Sequence, residues 1–133
     1  MTNSETVKYV YDKFAKGDVP ALLATFDSNI EFRLAEGHPY SPEGRPWIGG
    51  EAITRNFFAK GSEWDGWSIG IHSLEDFGDT VVVQGRYGGV YKPTGRKMDV
   101  QVCHLWKFRE GKIISFRQYL DTAALQAVMC AVP

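Results

Sequence analysis

Two polar side chains stand out by the company they keep. Between residues 97 and 109, His104 shares every second position with Met98, Val100, Val102 and Trp106, so in an extended strand it lies on an apolar face. Between 112 and 120, Gln118 does the same among Ile114, Phe116 and Leu120. A polar group on an apolar face needs a hydrogen-bond partner or a chemical purpose. An imidazole with an ordinary pKa of about 6.5 suits general acid–base work at neutral pH, or can donate to a ligand carbonyl while neutral. A primary amide can hold a ligand or hold the imidazole. A histidine bonded to Gln118 that merely completes a core is the competing account. Arg86 could pair with a carboxylate or enolate if its strand parity points inward.

Other constellations carry less. His38, His72 and His104 lie far apart and show no metal-ligand spacing, so no metal site is expected. Cys103 has the opposite strand parity to His104, which argues against a Cys–His nucleophile pair. Gly85, Gly88 and Gly89 fit a sharply bent strand, and no strand-to-helix turn follows them that would make a phosphate loop. Glu31 and Glu36 read as solvated, and Trp64 and Trp67 read as core or as a pocket roof.

The elements that must position these groups are legible. Ser4 is a candidate cap for a helix whose Val7, Val10, Tyr11 and Phe14 follow helical spacing, and Gly17 supplies the stop. Asp18 can cap a second helix with Pro20 in its first turn and Leu22, Leu23 and Phe26 inward. Asp27-Ser28-Asn29 reads as a turn, followed by a strand with Ile30, Phe32 and Leu34 on one face. The Pro- and Gly-rich stretch from 37 to 50, with His38, Tyr40 and Trp47, reads as one long loop, and loops of that length are usually functional or mobile. A helix is expected over Glu51–Lys60, then strands over Trp67–Phe77, Thr80–Tyr91, Lys97–Arg109 and Lys112–Leu120, joined by hairpin turns. A last helix is expected from about Thr122 to Val128, with Asp121 as its cap unless a bulge turns Asp121 inward. Helices first and a meander of strands later argue for an α+β fold.

The 133 residues suit a single domain spanning 1–133. The formal charge of −1, from 15 basic and 16 acidic residues that are interspersed, removes the electrostatic reason to expect nucleic acid. The two cysteines cannot make a disulfide framework, the first residues lack the marks of a signal peptide, and no apolar run is long enough to span a bilayer. A cytoplasmic protein without membrane partners is expected.

Phe14-Ala15-Lys16-Gly17-Asp18 and Phe26-Asp27-Ser28-Asn29-Ile30-Glu31-Phe32 resemble the opening of the cone-shaped fold shared by nuclear transport factor 2, ketosteroid isomerase and the polyketide cyclases. Gly49-Gly50-Glu51-Ala52-Ile53 and the closing hairpin from Trp106 to Ile114, continuing through Phe116-Arg117-Gln118-Tyr119-Leu120-Asp121, resemble that family's later landmarks. The likeness covers nearly the whole chain and is nearest to the SnoaL-like branch. It implies a cone-shaped barrel of a curved, mostly antiparallel sheet with about three helices on its concave face and a deep apolar pocket between them. It also implies a homodimer through the outer sheet face, to which Arg86, Tyr87 and Tyr119 would contribute, and a loop holding His38 and Tyr40 at the pocket mouth.

The family's catalytic carboxylates do not carry over. The isomerase tyrosine position falls on Val10, with Tyr9 and Tyr11 expected to point elsewhere; the base position falls on or near Phe32, and the protonated-acid position on His104. The cyclase histidine matches His104, but its aspartate partner falls on Gln118. The epoxide-hydrolase Arg-x-Asp pair reads Arg86-Tyr87-Gly88. The resulting expectation is an isomerase, cyclase or hydratase acting on a hydrophobic, carbonyl-bearing small molecule. It would use no cofactor, with His104 as acid–base and Gln118, Phe32, Tyr40, Arg86, Trp106 and Phe116 around the substrate. The alternative is a non-catalytic binding protein for a hydrophobic metabolite.

Overall fold

The computed structural model describes residues 1–130. Its first helix, α1 (Asn3–Ala15), starts from a capping box: the Thr2 hydroxyl accepts from the Glu5 amide while the Glu5 carboxylate accepts from the Thr2 amide. The expected cap, Ser4, instead bonds Asp76. The helix ends where Gly17 takes φ 70°, with Gly17 N–H donating to Phe14 C=O and Asp18 N–H to Lys13 C=O, the paired bonds of a Schellman motif. Helix α2 (Val19–Leu23) follows at once, capped by Asp18.

Strand β1 (Phe26–Arg33) starts earlier than expected. Asp27-Ser28-Asn29 lies inside it as an irregular segment, with the Asp27 carboxylate accepting from the Asn29 amide and the register shifting between Phe26 and Glu31. The expected long loop is interrupted by β2 (Trp47–Ile48), which pairs with β1 through Phe32 and Trp47. The expected single helix over Glu51–Lys60 is two pieces: α3 (Gly50–Asn56) and a 3-10 turn (Phe58–Glu63), separated at Phe57, whose backbone at φ −127°, ψ −65° leaves the helical region. Four long segments complete the fold: β3 (Trp64–Asp76), β4 (Thr80–Tyr91), β5 (Arg96–Arg109) and β6 (Lys112–Leu120), then α4 (Thr122–Met129). Asp121 caps α4 by accepting from the Ala124 amide.

The six strands form one mixed sheet in the order β2-β1-β6-β5-β4-β3, antiparallel except for β1 against β6. The sheet is strongly curved but open, with β2 and β3 at its edges, so the expected barrel does not close, and among the described residues four α-helices rather than three accompany it. The curvature has a local cause. Strand β3 carries two register shifts, one between Asp65 and Ser68 and one between Ile71 and Ser73. Opposite them on β4 stand Gly88, Gly89 and Gly85. Bulges on one strand facing glycines on the next let the sheet fold over on itself. At Gly85 a Cβ would lie 2.3 Å from the Gly70 carbonyl oxygen, and Gly89 sits at φ 137°. The cone so formed is filled by two contiguous apolar clusters, one under α1, α2 and α3, the other under α4. Among the described residues no helix is long and apolar enough to cross a membrane.

Candidate functional site

Strand alternation puts Met98, Val100, Val102, His104 and Trp106 of β5 inward and buried, as expected. On β6 Phe116 and Gln118 face inward, but the parity changes at a bulge beside Lys107 and Phe108. There Ile113 becomes fully buried and Ile114, expected inward, is the extra residue. His104 and Gln118 are directly opposed across β5 and β6, yet they do not bond each other. The Tyr87 hydroxyl from β4 stands between them, 2.7 Å from His104 Nε2, and Gln118 Nε2 donates to it at 3.0 Å. On the other side, the Tyr11 hydroxyl from α1 lies 2.6 Å from His104 Nδ1 and accepts from Trp106 Nε1 at 2.9 Å. The result is a continuous buried chain, Trp106–Tyr11–His104–Tyr87–Gln118. Phe116 meets the imidazole edge to face, and Tyr11 lies parallel to it.

This geometry corrects two expectations. Tyr11 points into the cone, and Tyr87 points into the cone rather than onto the outer face. Both were signalled in the sequence. Tyr11 keeps the helical spacing of Val7, Val10 and Phe14, and Tyr87 keeps the strand parity of Val81, Val83 and Gly85. Arg86, by the same parity, lies outside: its guanidinium is half-exposed and bonds the Asp99 carboxylate and backbone carbonyl. It does not reach the cavity.

The electrostatics follow from burial. His104 is 3% exposed, and desolvation lowers its pKa to about 3, well below the ordinary imidazole value of about 6.5. Burial also raises the Tyr87 phenol and, against the helping Trp106 N–H, the Tyr11 phenol well above the ordinary 10. At neutral pH every member of the chain is therefore uncharged, and its hydrogens can be counted. Trp106 and Gln118 fill the two outer links. The two inner links share three hydrogens, one on each phenol and one on the imidazole. With the imidazole hydrogen on Nδ1, Tyr87 donates to Nε2 and the Tyr11 hydrogen is left over; with it on Nε2, the Tyr87 hydrogen is left over. With the Gln118 amide turned so that its Nε2 faces Tyr87, one phenolic O–H lacks an acceptor inside the chain, and the Gln118 Oε1 is buried with no partner. Each such orphan costs about 1–3 kcal/mol.

Tyr11, Tyr87, His104, Trp106, Phe116 and Phe32 line one side of a cavity of about 40 Å³; Phe14, Phe57, Phe58 and Ile69 line the other. That volume holds a water or two but no ring. Beyond Tyr87 and Phe57 lies a second cavity of about 10 Å³, lined by Gln118, His38, Tyr40, Trp64 and Leu125 among others. Tyr40 thus borders the smaller cavity and not the larger. Its hydroxyl donates to Glu63 Oε1 at 2.6 Å and accepts from Trp64 Nε1, so the loop at the mouth is pinned rather than loose. His38 is 5% exposed and its pKa falls to about 4 through desolvation. Cys103 faces away from His104, and burial raises its thiol. Among the described residues no group of three His, Cys, Asp or Glu side chains is placed to hold a metal.

The chain is thus an α+β protein whose helices cover the concave side of a curved sheet, with polar groups meeting inside an apolar cone. Residues 7–116 match the SnoaL-like domain family, and the chain belongs to it. No curated protein matches the chain. Among solved structures, an NTF2-like protein of Burkholderia thailandensis is 32% identical with TM-score 0.91, covering 98% of this chain and 99% of its own. TerC, co-crystallised with polyporic acid, is 22% identical with TM-score 0.82 over 93% of this chain and 95% of its own. A Catenulispora acidiphila protein with a ketosteroid isomerase-like fold, in complex with trimethylamine, is 19% identical with TM-score 0.80 over the whole of both chains.

Proposed function

We propose that this SnoaL-like protein takes a hydrophobic, carbonyl-bearing molecule into the cone and polarises its carbonyl with the hydroxyl of Tyr11. The observation that carries this reading is the neutral five-residue chain with one surplus phenolic hydrogen beside an otherwise apolar cavity. A carbonyl oxygen at Tyr11 fixes the imidazole hydrogen on Nδ1. The donors then run in one direction: Gln118 to Tyr87, Tyr87 to His104, His104 to Tyr11, Tyr11 to substrate. Each bond polarises the next, and the Tyr11 oxygen receives a second donor from Trp106. Such preorganised donors are stronger toward an enolate than toward a ketone, which is the differential that catalysis requires.

His104 in this reading is a positioning residue that moves or orients protons through two phenols. Both its nitrogens are engaged, and a pKa of about 3 makes it a poor base toward carbon. No described residue on the cavity wall carries a carboxylate. The chemistry is therefore isomerisation or cyclisation of a substrate that enolises readily, rather than hydration, which needs a base for water. The polyporic acid and trimethylamine bound by TerC and the Catenulispora protein support small-molecule occupancy of this fold.

The missing base also supports the second reading, a binding protein that leaves its ligand unchanged. Acetophenone binding and the keto–enol interconversion of benzoylacetone separate the two. We expect acetophenone to bind at least about 10-fold more weakly to Tyr11→Phe, and benzoylacetone ketonisation to be accelerated by the wild type roughly 100-fold more than by Tyr11→Phe. Binding without acceleration selects the binding protein; binding that ignores Tyr11 overturns the carbonyl reading.

The outer sheet face, where Arg86, Gln101 and Tyr119 border a groove of about 590 Å³, is the surface on which we place a homodimer. Light scattering of the purified protein checks it, with twice the 14.9 kDa chain mass expected and a monomer at all concentrations against it.

A further inference from the structure

Tyr11 and Tyr87 line the same cavity as His104, and each bonds a different nitrogen of its ring, at 2.6 Å from Nδ1 and 2.7 Å from Nε2. The only other polar side chain on that cavity is Trp106, whose N–H is engaged by Tyr11. With both imidazole nitrogens occupied, a bound molecule can exchange hydrogens only with the two phenols. The surplus hydrogen of the chain belongs to Tyr11 when the imidazole carries its own on Nδ1, and to Tyr87 when it carries it on Nε2. A change of tautomer therefore moves the surplus from one phenol to the other while every group stays neutral. Neutrality matters in an apolar cavity, where a separated pair of charges would lose its hydration.

We propose that Tyr87 is the second reacting group of the site: Tyr11 gives a hydrogen to the substrate carbonyl oxygen, Tyr87 takes one from the adjacent carbon, and His104 couples the two by changing tautomer. The transfer balances. The Tyr11 hydrogen goes to the carbonyl oxygen, the Nδ1 hydrogen to the Tyr11 oxygen, the Tyr87 hydrogen to Nε2, and the α-hydrogen to the Tyr87 oxygen. The C–H electron pair becomes the enol double bond as the carbonyl π pair forms the new O–H bond. Ketonisation is the same set of transfers reversed. Imidazolium never forms, as suits a ring whose pKa is about 3. The Tyr87 oxygen has two lone pairs, and Gln118 N–H takes only one. Flanking one imidazole ring, the phenol oxygens stand roughly 7 Å apart, which fits a carbonyl oxygen and its neighbouring carbon between them. A water in the cavity can pass a hydrogen from Tyr87 back to Tyr11 by the same route and restore the starting tautomer. This relay rests on the proposed function in that Tyr11 holds the carbonyl, and it adds the base that the cavity wall otherwise lacks. The substrate class becomes ketones that move a hydrogen between the carbonyl oxygen and the adjacent carbon.

Benzoylacetone ketonisation and acetophenone affinity, measured in wild type, Tyr11→Phe and Tyr87→Phe, test it. A Tyr87 that only tightens the donor chain would lower rate and affinity in the same proportion when removed. We expect instead that Tyr87→Phe loses about 100-fold of the acceleration, as much as Tyr11→Phe, while losing less acetophenone affinity than Tyr11→Phe does. A second measurement needs no variant to fold: the wild-type rate in mixtures of H2O and D2O. Several hydrogens moving in one step should bow the plot of rate against deuterium fraction downward. A straight line overturns the relay, and so does a rate loss in Tyr87→Phe no larger than its affinity loss. Acetophenone binding that depends on Tyr11, with no acceleration of benzoylacetone, overturns the relay and leaves the carbonyl reading standing. Acetophenone binding that ignores Tyr11 overturns both.

Discussion

At the scale of residues, the site works by holding hydrogens in place rather than by titrating. His104 is pushed down to about 3, and the two phenols are pushed well above 10, all chiefly by desolvation. None of these groups changes protonation between about pH 5 and 9, so ligand binding and any turnover are expected to be flat across that range. A profile with an inflection near the ordinary histidine value of about 6.5 would mean that His104 meets substrate directly, as the sequence led us to expect. Tyr87→Phe gives a graded version of the same test. It removes the link from Gln118 to His104 but leaves the Tyr11 hydroxyl, so it should weaken carbonyl binding less than Tyr11→Phe does.

At the scale of elements, the sheet's bend is what brings Tyr87 and His104 over α1. Gly85 makes that bend possible, because a Cβ there would lie 2.3 Å from a backbone oxygen on β3 that cannot move aside like a flexible side chain. Gly85→Ala is expected to destabilise the fold by roughly 2 kcal/mol or more. Thermal unfolding within about a degree of wild type would show that β3 can slide past its bulge. The break at Phe57 is the complementary feature. It interrupts the helix and presents Phe57 and Phe58 to the cavity as separate rings, where one continuous helix would place successive residues about 100° apart on its surface.

At the scale of the whole molecule, the buried histidines link folding to pH. In the unfolded chain each takes a proton below about 6.5, whereas in the fold His104 does so only at about 3 and His38 at about 4. The unfolded state therefore binds more protons between these limits. The full stability is present above about pH 6.5 and is lost as pH falls, by up to about 1.4 kcal/mol per pH unit per histidine. Denaturant midpoints taken from about pH 7.5 down to about pH 4 should fall steadily through the window above the carboxylate range. A midpoint unchanged until carboxylates protonate would show that the two rings gain water or charge in the fold.

The sequence by itself determined the α+β class, the meander of long strands, the helix stop at Gly17 and the helix start at Asp121, and the inward faces carrying His104, Gln118, Phe32, Trp106 and Phe116. Those are local properties: strand parity, helical spacing and turn chemistry act over a few residues and leave a periodic trace. The same trace carries Tyr11, at helical spacing with Val7 and Phe14, and Tyr87, at strand parity with Val81 and Val83. What the tertiary structure alone decided is which inward groups meet. His104 and Gln118 are paired by register yet are kept apart by a phenol from β4, and the second phenol comes from a helix 93 residues away from His104 in the chain. Bulges shift parity by one residue without a sequence signature strong enough to read, as Ile113 and Ile114 show. The neutrality of the site was equally beyond the sequence. Desolvation depends on how completely α1 and the curved sheet exclude water, and that is settled only when every element is in place.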